Sequence, residues 1–363
     1  MPRPAVVRRR SPGSWLARAA LVAVALGAVS PTGASAARAR LAMWSDRVPA
    51  GRIGRPMRDT LLRGDSMALR ASAASDVYRT PGNEPIRVML SRAFIPNRAA
   101  VQSFVNFLGS RLHGSELSRL TAYLAPISEV ALRCGNPGAL ACYSPNTELM
   151  IVPGENSREG QFSKEFLVTH EYGHHIARNR NNSPWLALAR GPKRWDTFHH
   201  VCQRIVAHEL VPGGSGAQYT ANPGEAWAES YAFYHYPTGQ PWQFTPLLAP
   251  VPGTRPAIRG DVLSPWRGAK TVVKRGVFSR TGAPVATRTF ATPLDGRITF
   301  GVSGPTGSNL DLEVVLGGRV VATSKRRGSR EFIAGDLCGV RRVAVRVRRI
   351  GGAGAFRLIA RVP

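Results

Sequence analysis

Apolar and polar residues alternate at Ile86-Arg87-Val88-Met89-Leu90, a period of two that predicts a strand. Val101, Phe104, Val105, Leu108 and Leu112 then recur at helical spacing, which predicts a helix packed along one face. Residues 148–152 read as a second strand ending at the Pro153-Gly154 turn, with a free edge to which an extended peptide could pair. Phe166, Leu167, Ile176 and Ala177 place a partly buried helix over 162–178. A later helix is expected over 195–210. Another starts where Asn222 can cap and Pro223 suits the first turn. From 237 to 266 the prolines recur: Pro237, Pro241, Pro246, Pro250, Pro252, Pro256 and Pro265. That density reads as a linker or irregular wrap without a helix. From about 271 the pattern becomes short alternating strands split by glycine turns, at 297–302, 310–316, 340–347 and 356–362, the spacing of a small all-β sandwich.

The charged residues on the 162–178 helix change the picture. His170 and His174 are four apart, so both imidazoles lie on one face and can reach one metal ion. Glu171 follows the first histidine, where its carboxylate can reach a water on that ion. The H-E-x-x-H order gives two ligands, a general base and an open position, the layout of a zinc hydrolase. Glu225 and Glu229 are also four apart on their helix. A catalytic zinc takes three protein ligands and a water. One of these acids can complete the set while the other holds a ligand histidine by its free ring nitrogen. His175 points about 100° away from His174 on a helix and belongs to another face. His199, His200 and His208 lack a partner at ligand spacing and read as structural or surface residues.

HEYGH at 170–174, followed by NPGEAWAESYA at 222–232, resembles the gluzincin metallopeptidases. The resemblance implies that Glu225 is the third zinc ligand and Glu229 supports a histidine. A tyrosine ahead of the acid is similar to lethal-factor-type catalytic domains, which makes Tyr219, matched across a one-residue gap, a candidate transition-state stabiliser. The longer metzincin pattern fails, because Ala177 and Arg180 stand where it needs glycine and histidine. Pro293-Leu294-Asp295-Gly296 and Leu310-Asp311-Leu312 resemble the bacterial pre-peptidase C-terminal domain, an ancillary module of secreted proteases.

The N-terminus reads as a signal peptide: a basic stretch with Arg3, Arg8, Arg9 and Arg10, an apolar core over 16–29, and an A-x-A site at Ala34-Ser35-Ala36. Cleavage near Ala36 would release a secreted chain with no transmembrane segment. Four cysteines fit an oxidising compartment. Of the three possible connectivities, the turn Gly135-Asn136-Pro137-Gly138 favours Cys134 with Cys142, leaving Cys202 with Cys338. The formal charge is +27, and removing five arginines with residues 1–36 leaves 27 − 5 = +22. That favours anionic partners such as cell-wall polymers. No nucleic-acid motif accompanies the charge, so no specific nucleic-acid partner is expected.

These readings divide the 363 residues into a signal peptide (1–36), a flexible leader or pro-segment (37–83), an α+β zincin-like metallopeptidase domain (84–236), a proline-rich linker (237–269) and a β-sandwich (270–363). They predict a secreted endopeptidase acting on protein or peptide substrates with Zn2+ held by His170, His174 and Glu225. The alternative is a non-enzymatic exported wall-binding protein on the same scaffold.

Overall fold

A computed structural model of the chain describes residues 38–44, 73–156, 163–238 and 241–363. The signal peptide, most of the expected leader and Phe162 lie outside the described residues. The protein is mixed α/β with several sheets.

The first part is built on a five-stranded sheet. Its strands are β2 (Ala73–Arg79), β3 (Pro85–Ser91), β5 (Thr121–Ala125), β6 (Cys142–Ser144) and β7 (Leu149–Pro153), in the order β2-β3-β5-β7-β6. β3, β5 and β7 run parallel, and β2 and β6 pair antiparallel at the two edges. A short parallel pair, β1 (Ala39–Arg40) with β4 (Phe94–Ile95), lies beside it. Helix α1 (Arg98–Gly109) is capped by Asn97, whose side chain accepts from the Ala100 amide, and buries Val101, Phe104, Val105 and Leu108 as its period requires. Helix α2 is Ile127–Arg133 and α3 is Lys164–Arg178, with Ser163 as its N-cap accepting from the Phe166 amide.

Four sequence expectations change here. Part of the expected leader is ordered. Ala73–Arg79 forms an edge strand, and Leu41 and Trp44 are buried, with the Trp44 ring edge-on to Phe104 and tilted against Phe107, centres 4.9 and 5.4 Å away. The strand before α3 has no free edge along Leu149–Ile151, because β6 covers it; β6 is itself the edge. The long helix expected over 195–210 is broken. After a hairpin of β8 (Asn181–Asn182) and β9 (Trp185–Leu186) come α4 (Ala187–Arg190), α5 (Lys193–Phe198) and α6 (Val201–Val206). His200 interrupts α5 and α6 with φ of 56°, in the left-handed region. Finally, the proline-rich stretch contains a helix. After α7 (Pro223–His235), α8 spans Thr254–Leu263 and buries Ile258 and Val262 in the same core as α1 and α3.

The second part is two four-stranded antiparallel sheets around a separate apolar core that includes Phe300, Leu312, Val345 and Leu358. β10 (Lys270–Phe278), β17 (Gly354–Val362), β12 (Gly296–Ser303) and β15 (Arg330–Leu337) form one sheet in that order. β11 (Val285–Ala291), β16 (Arg342–Gly351), β13 (Asn309–Leu316) and β14 (Arg319–Ser324) form the other. Along β12 and β17 buried and open positions alternate, the mark of a half-buried strand.

The two parts meet at α5 and α6. Cys202 on α6 is bonded to Cys338, and Cys134 to Cys142, with Cα atoms 5.3 and 5.9 Å apart. Thr197 Oγ1 accepts from the Asp295 amide. The Lys193 ammonium donates to the Ser183 carbonyl and sits 4.5 Å from the Trp266 ring centre and 5.3 Å from that of Trp185. Burial, only partly offset by Asp196 and Asp295, pulls its pKa down to about 8. Among the described residues no helix is long and apolar enough to cross a membrane.

Candidate metal centre

The site is made where α3 crosses α7, and one glycine sets how closely they approach. A Cβ at Gly173 would stand 2.8 Å from the Ala228 Cα and 3.1 Å from its carbonyl. With glycine there, the helices touch backbone to backbone. Trp227 locks the contact, its Nε1 donating to the Gly173 carbonyl at 2.8 Å. Asn222 caps α7 through the Gly224 amide, with Pro223 in the first turn, so Glu225 leaves the helix within that turn and faces α3.

His170, His174 and Glu225 each offer one ligand atom, and the three atoms lie within 4.8 Å of one another. Glu225 Oε2 is 3.6 Å from His170 Nε2 and 3.3 Å from His174 Nε2. Glu229, one turn further along α7, lies on the other side of the first histidine, with Oε2 3.1 Å from His170 Nδ1. One ring nitrogen therefore faces the cluster while the other is held by a carboxylate, which fixes the ring's orientation. Glu225 joins the histidines directly, and Glu229 stands behind one of them. Burial raises the Glu229 carboxyl above its ordinary pKa; the bond and charge of His170 pull the other way, and Glu225 adds to the rise.

Glu171 is fully buried on α3 between the two histidines in sequence. Tyr219 enters from the 3-10 turn Gly216–Ala221, and its hydroxyl donates to Glu225 Oε2 at 3.1 Å. The histidines outside the cluster have other partners. His175 bridges the Tyr143 hydroxyl at 3.0 Å and the Glu116 carbonyl at 2.8 Å, tying α3 to β6. Burial lowers its pKa, so it stays neutral in that role. His199 bonds Thr254 Oγ1 at 3.1 Å, bringing α5 to α8, while His200 and His208 are exposed.

Sequence reasoning did not single out Gly173 or Trp227. The signal was present: a glycine inside the motif, and a small alanine beside a tryptophan on the partner helix.

Two histidines and a carboxylate, buried and converging from two helices, could together hold a metal ion, and imidazole and carboxylate are donor types that zinc takes. No family model matches the chain, and no curated protein matches it. Among solved structures, one similar chain is the pre-peptidase C-terminal domain of a Bacillus anthracis collagenase, at 14% identity and TM-score 0.21, covering 24% of this chain and 88% of that one. Another is PliG, a periplasmic inhibitor of g-type lysozyme from Aeromonas hydrophila, at 12% identity and TM-score 0.19, covering 26% and 87%. A family 35 carbohydrate-binding module from Clostridium thermocellum matches at 11% identity and TM-score 0.19, covering 26% and 92%. Likenesses this low carry no functional argument, which rests on the site's own geometry.

Proposed function

We propose that this protein is a secreted zinc-dependent endopeptidase with a zincin-like catalytic part. The observation that carries the reading is the convergence of His170, His174 and Glu225, with Glu171 on the same helix as the two histidines. The three ligand residues would hold the ion. When bound, zinc lowers the pKa of a coordinated water toward neutrality and polarises a carbonyl.

The chain's own residues then divide the remaining work. Glu171 accepts the proton of the attacking water and passes it to the departing amine. The Tyr219 hydroxyl, now bonded to Glu225, can turn to donate to the oxygen on which negative charge grows. Glu229 holds the His170 ring in place throughout. The outer side of β6 is a strand edge, and an extended peptide could pair there through its backbone. Two disulfides and an apolar N-terminal stretch support export.

The test is metal analysis of the mature protein, with casein hydrolysis measured before and after chelation and after zinc is restored. About one zinc per chain and chelation-sensitive, zinc-restored cleavage are expected. A zinc-loaded protein with no hydrolysis of casein or peptides would overturn the enzyme reading.

A further inference from the structure

The two faces of the sandwich treat their arginines differently. On the β11-β16-β13-β14 sheet, outward arginines stand opposite acids: Arg346 pairs across with Glu313, and Arg348 with Asp311. Arg348 Nη1 also lies 3.7 Å from Glu313. Two of its arginines thus stand across from acids, while Arg319 and Arg342 face Leu316 and Ala291.

On the β10-β17-β12-β15 sheet four arginines have no acid across from them. The register places Arg275, Arg357, Ser303 and Arg330 in one row across the four strands. The next row is Val273, Ile359, Gly301 and Phe332, and the next Thr271, Arg361, Thr299 and Ala334. Arg275, Arg330, Arg357 and Arg361 are all exposed. Among the described residues the one ion pair on this face is Arg297 with Asp336, in the row below. Arg275 and Arg357 are direct cross-strand neighbours, and like charges so placed cost stability. A sequence merely rich in arginine would show the same disregard on both faces. Here one face sets acids across from two of its arginines, and the other leaves Arg275, Arg330, Arg357 and Arg361 with none.

The middle row is apolar and open. Phe332 is 60% exposed beside Gly301, whose missing side chain leaves a dip next to the ring. Strands lie about 4.8 Å apart, and alternate residues along one strand about 6.7 Å. The apolar stripe is thus one sugar ring wide, with guanidinium groups on both sides. Guanidinium forks match carboxylates bidentately, and a pyranose presents a C–H face that packs on aromatic and aliphatic side chains. A single aromatic gives no platform for stacking successive bases, which disfavours single-stranded nucleic acid.

We propose that this face binds a carboxylate-bearing polysaccharide, whose sugar rings cover Val273, Ile359 and Phe332 while Arg275, Arg330, Arg357 and Arg361 hold its carboxylates. The binding is independent of the peptidase reading and needs none of its residues.

The experiment measures binding of the full mature chain to polygalacturonate, with dextran, polyphosphate and single-stranded DNA in parallel. The double variant Arg357→Glu with Arg361→Glu is compared with a charge-matched one on the other sheet, Arg319→Glu with Arg342→Glu. Wild type should bind polygalacturonate and ignore dextran. The first variant should lose about tenfold or more, and the second much less. Phe332→Ala should weaken polygalacturonate binding and leave polyphosphate unchanged. A matching thermal melt confirms that each variant is folded, and Arg357→Gln with Arg361→Gln replaces the double glutamate if that one is not. Equal losses from both sheets would reduce the effect to net charge and overturn the proposal. So would absent binding by wild type, or tighter binding to DNA or polyphosphate with no effect of Phe332→Ala.

Discussion

Removing one carboxylate at a time separates the roles at the centre. Glu171→Gln keeps the shape and all three candidate ligands, so zinc content should stay at wild-type level. Peptide hydrolysis should fall by about 10²–10⁴, the usual worth of a general base. Turnover near wild type in that variant would remove Glu171 from the mechanism. Glu229→Gln acts one step back. It weakens the carboxylate bond that orients His170, so zinc affinity should drop by about 10–100-fold in a chelator competition. If affinity is unchanged there but lost in Glu225→Gln, Glu229 has no part in holding the metal.

Legibility at the level of elements followed locality. His170 with His174, and Glu225 with Glu229, are each a four-residue spacing on one helix, so the sequence alone put each pair on a single face. Their meeting was not legible by spacing, because it depends on a crossing of α3 and α7 that no local pattern encodes. β6 escaped because three residues, Cys142–Ser144, are too few to show a period. The break at His200 escaped because the apolar rhythm continues through it, and only the φ of 56° marks the kink. Helix α8 was hidden by prolines, yet Pro256 sits in its first turn, where a missing N–H costs nothing. The crossing gives a prediction of its own. Gly173→Val would drive carbon into the Ala228 backbone, so α3 and α7 must separate. Overpacking of this kind costs about 1–3 kcal/mol, and the ligand set should loosen with it. A lowered melting temperature together with weakened zinc binding is expected; a drop in stability with normal zinc affinity would mean the crossing does not shape the site.

Across the whole molecule, the C-terminal boundary of the first part lies further along than the proline run implies. Asp261 on α8 accepts from the Arg194 and Trp195 amides at 3.0 and 2.8 Å, and its backbone carbonyl accepts from Arg180. A chain ending at Pro250 should therefore lose its cooperative melt, while one ending at Gly268, with α8 and Trp266 intact, should retain it. Equal melts would show α8 to be dispensable. The junction between the parts carries a pH signature. Lys193 titrates at about 8 when folded and near 10.5 when free, so between those values the unfolded chain holds more of the proton. Stability from this group is lowest below pH 8 and rises through that window. Wild type should accordingly gain on Lys193→Met as pH increases from 8 to 10 in paired melts; a constant gap would show that Lys193 is not held in its low-pKa state.

The bond between Cys202 and Cys338 spans 136 residues, whereas that between Cys134 and Cys142 spans 8. In a chain threaded out N-terminus first, Cys202 arrives long before its partner and can meet only Cys134 or Cys142. The nearer loop closes readily and takes both of those out of play. Cys202 then waits as a lone thiol until the last strands emerge. In such a chain the rear of the molecule would time completion: synthesis that stops before Cys338 would leave a protein flagged by one unpaired sulfur at Cys202.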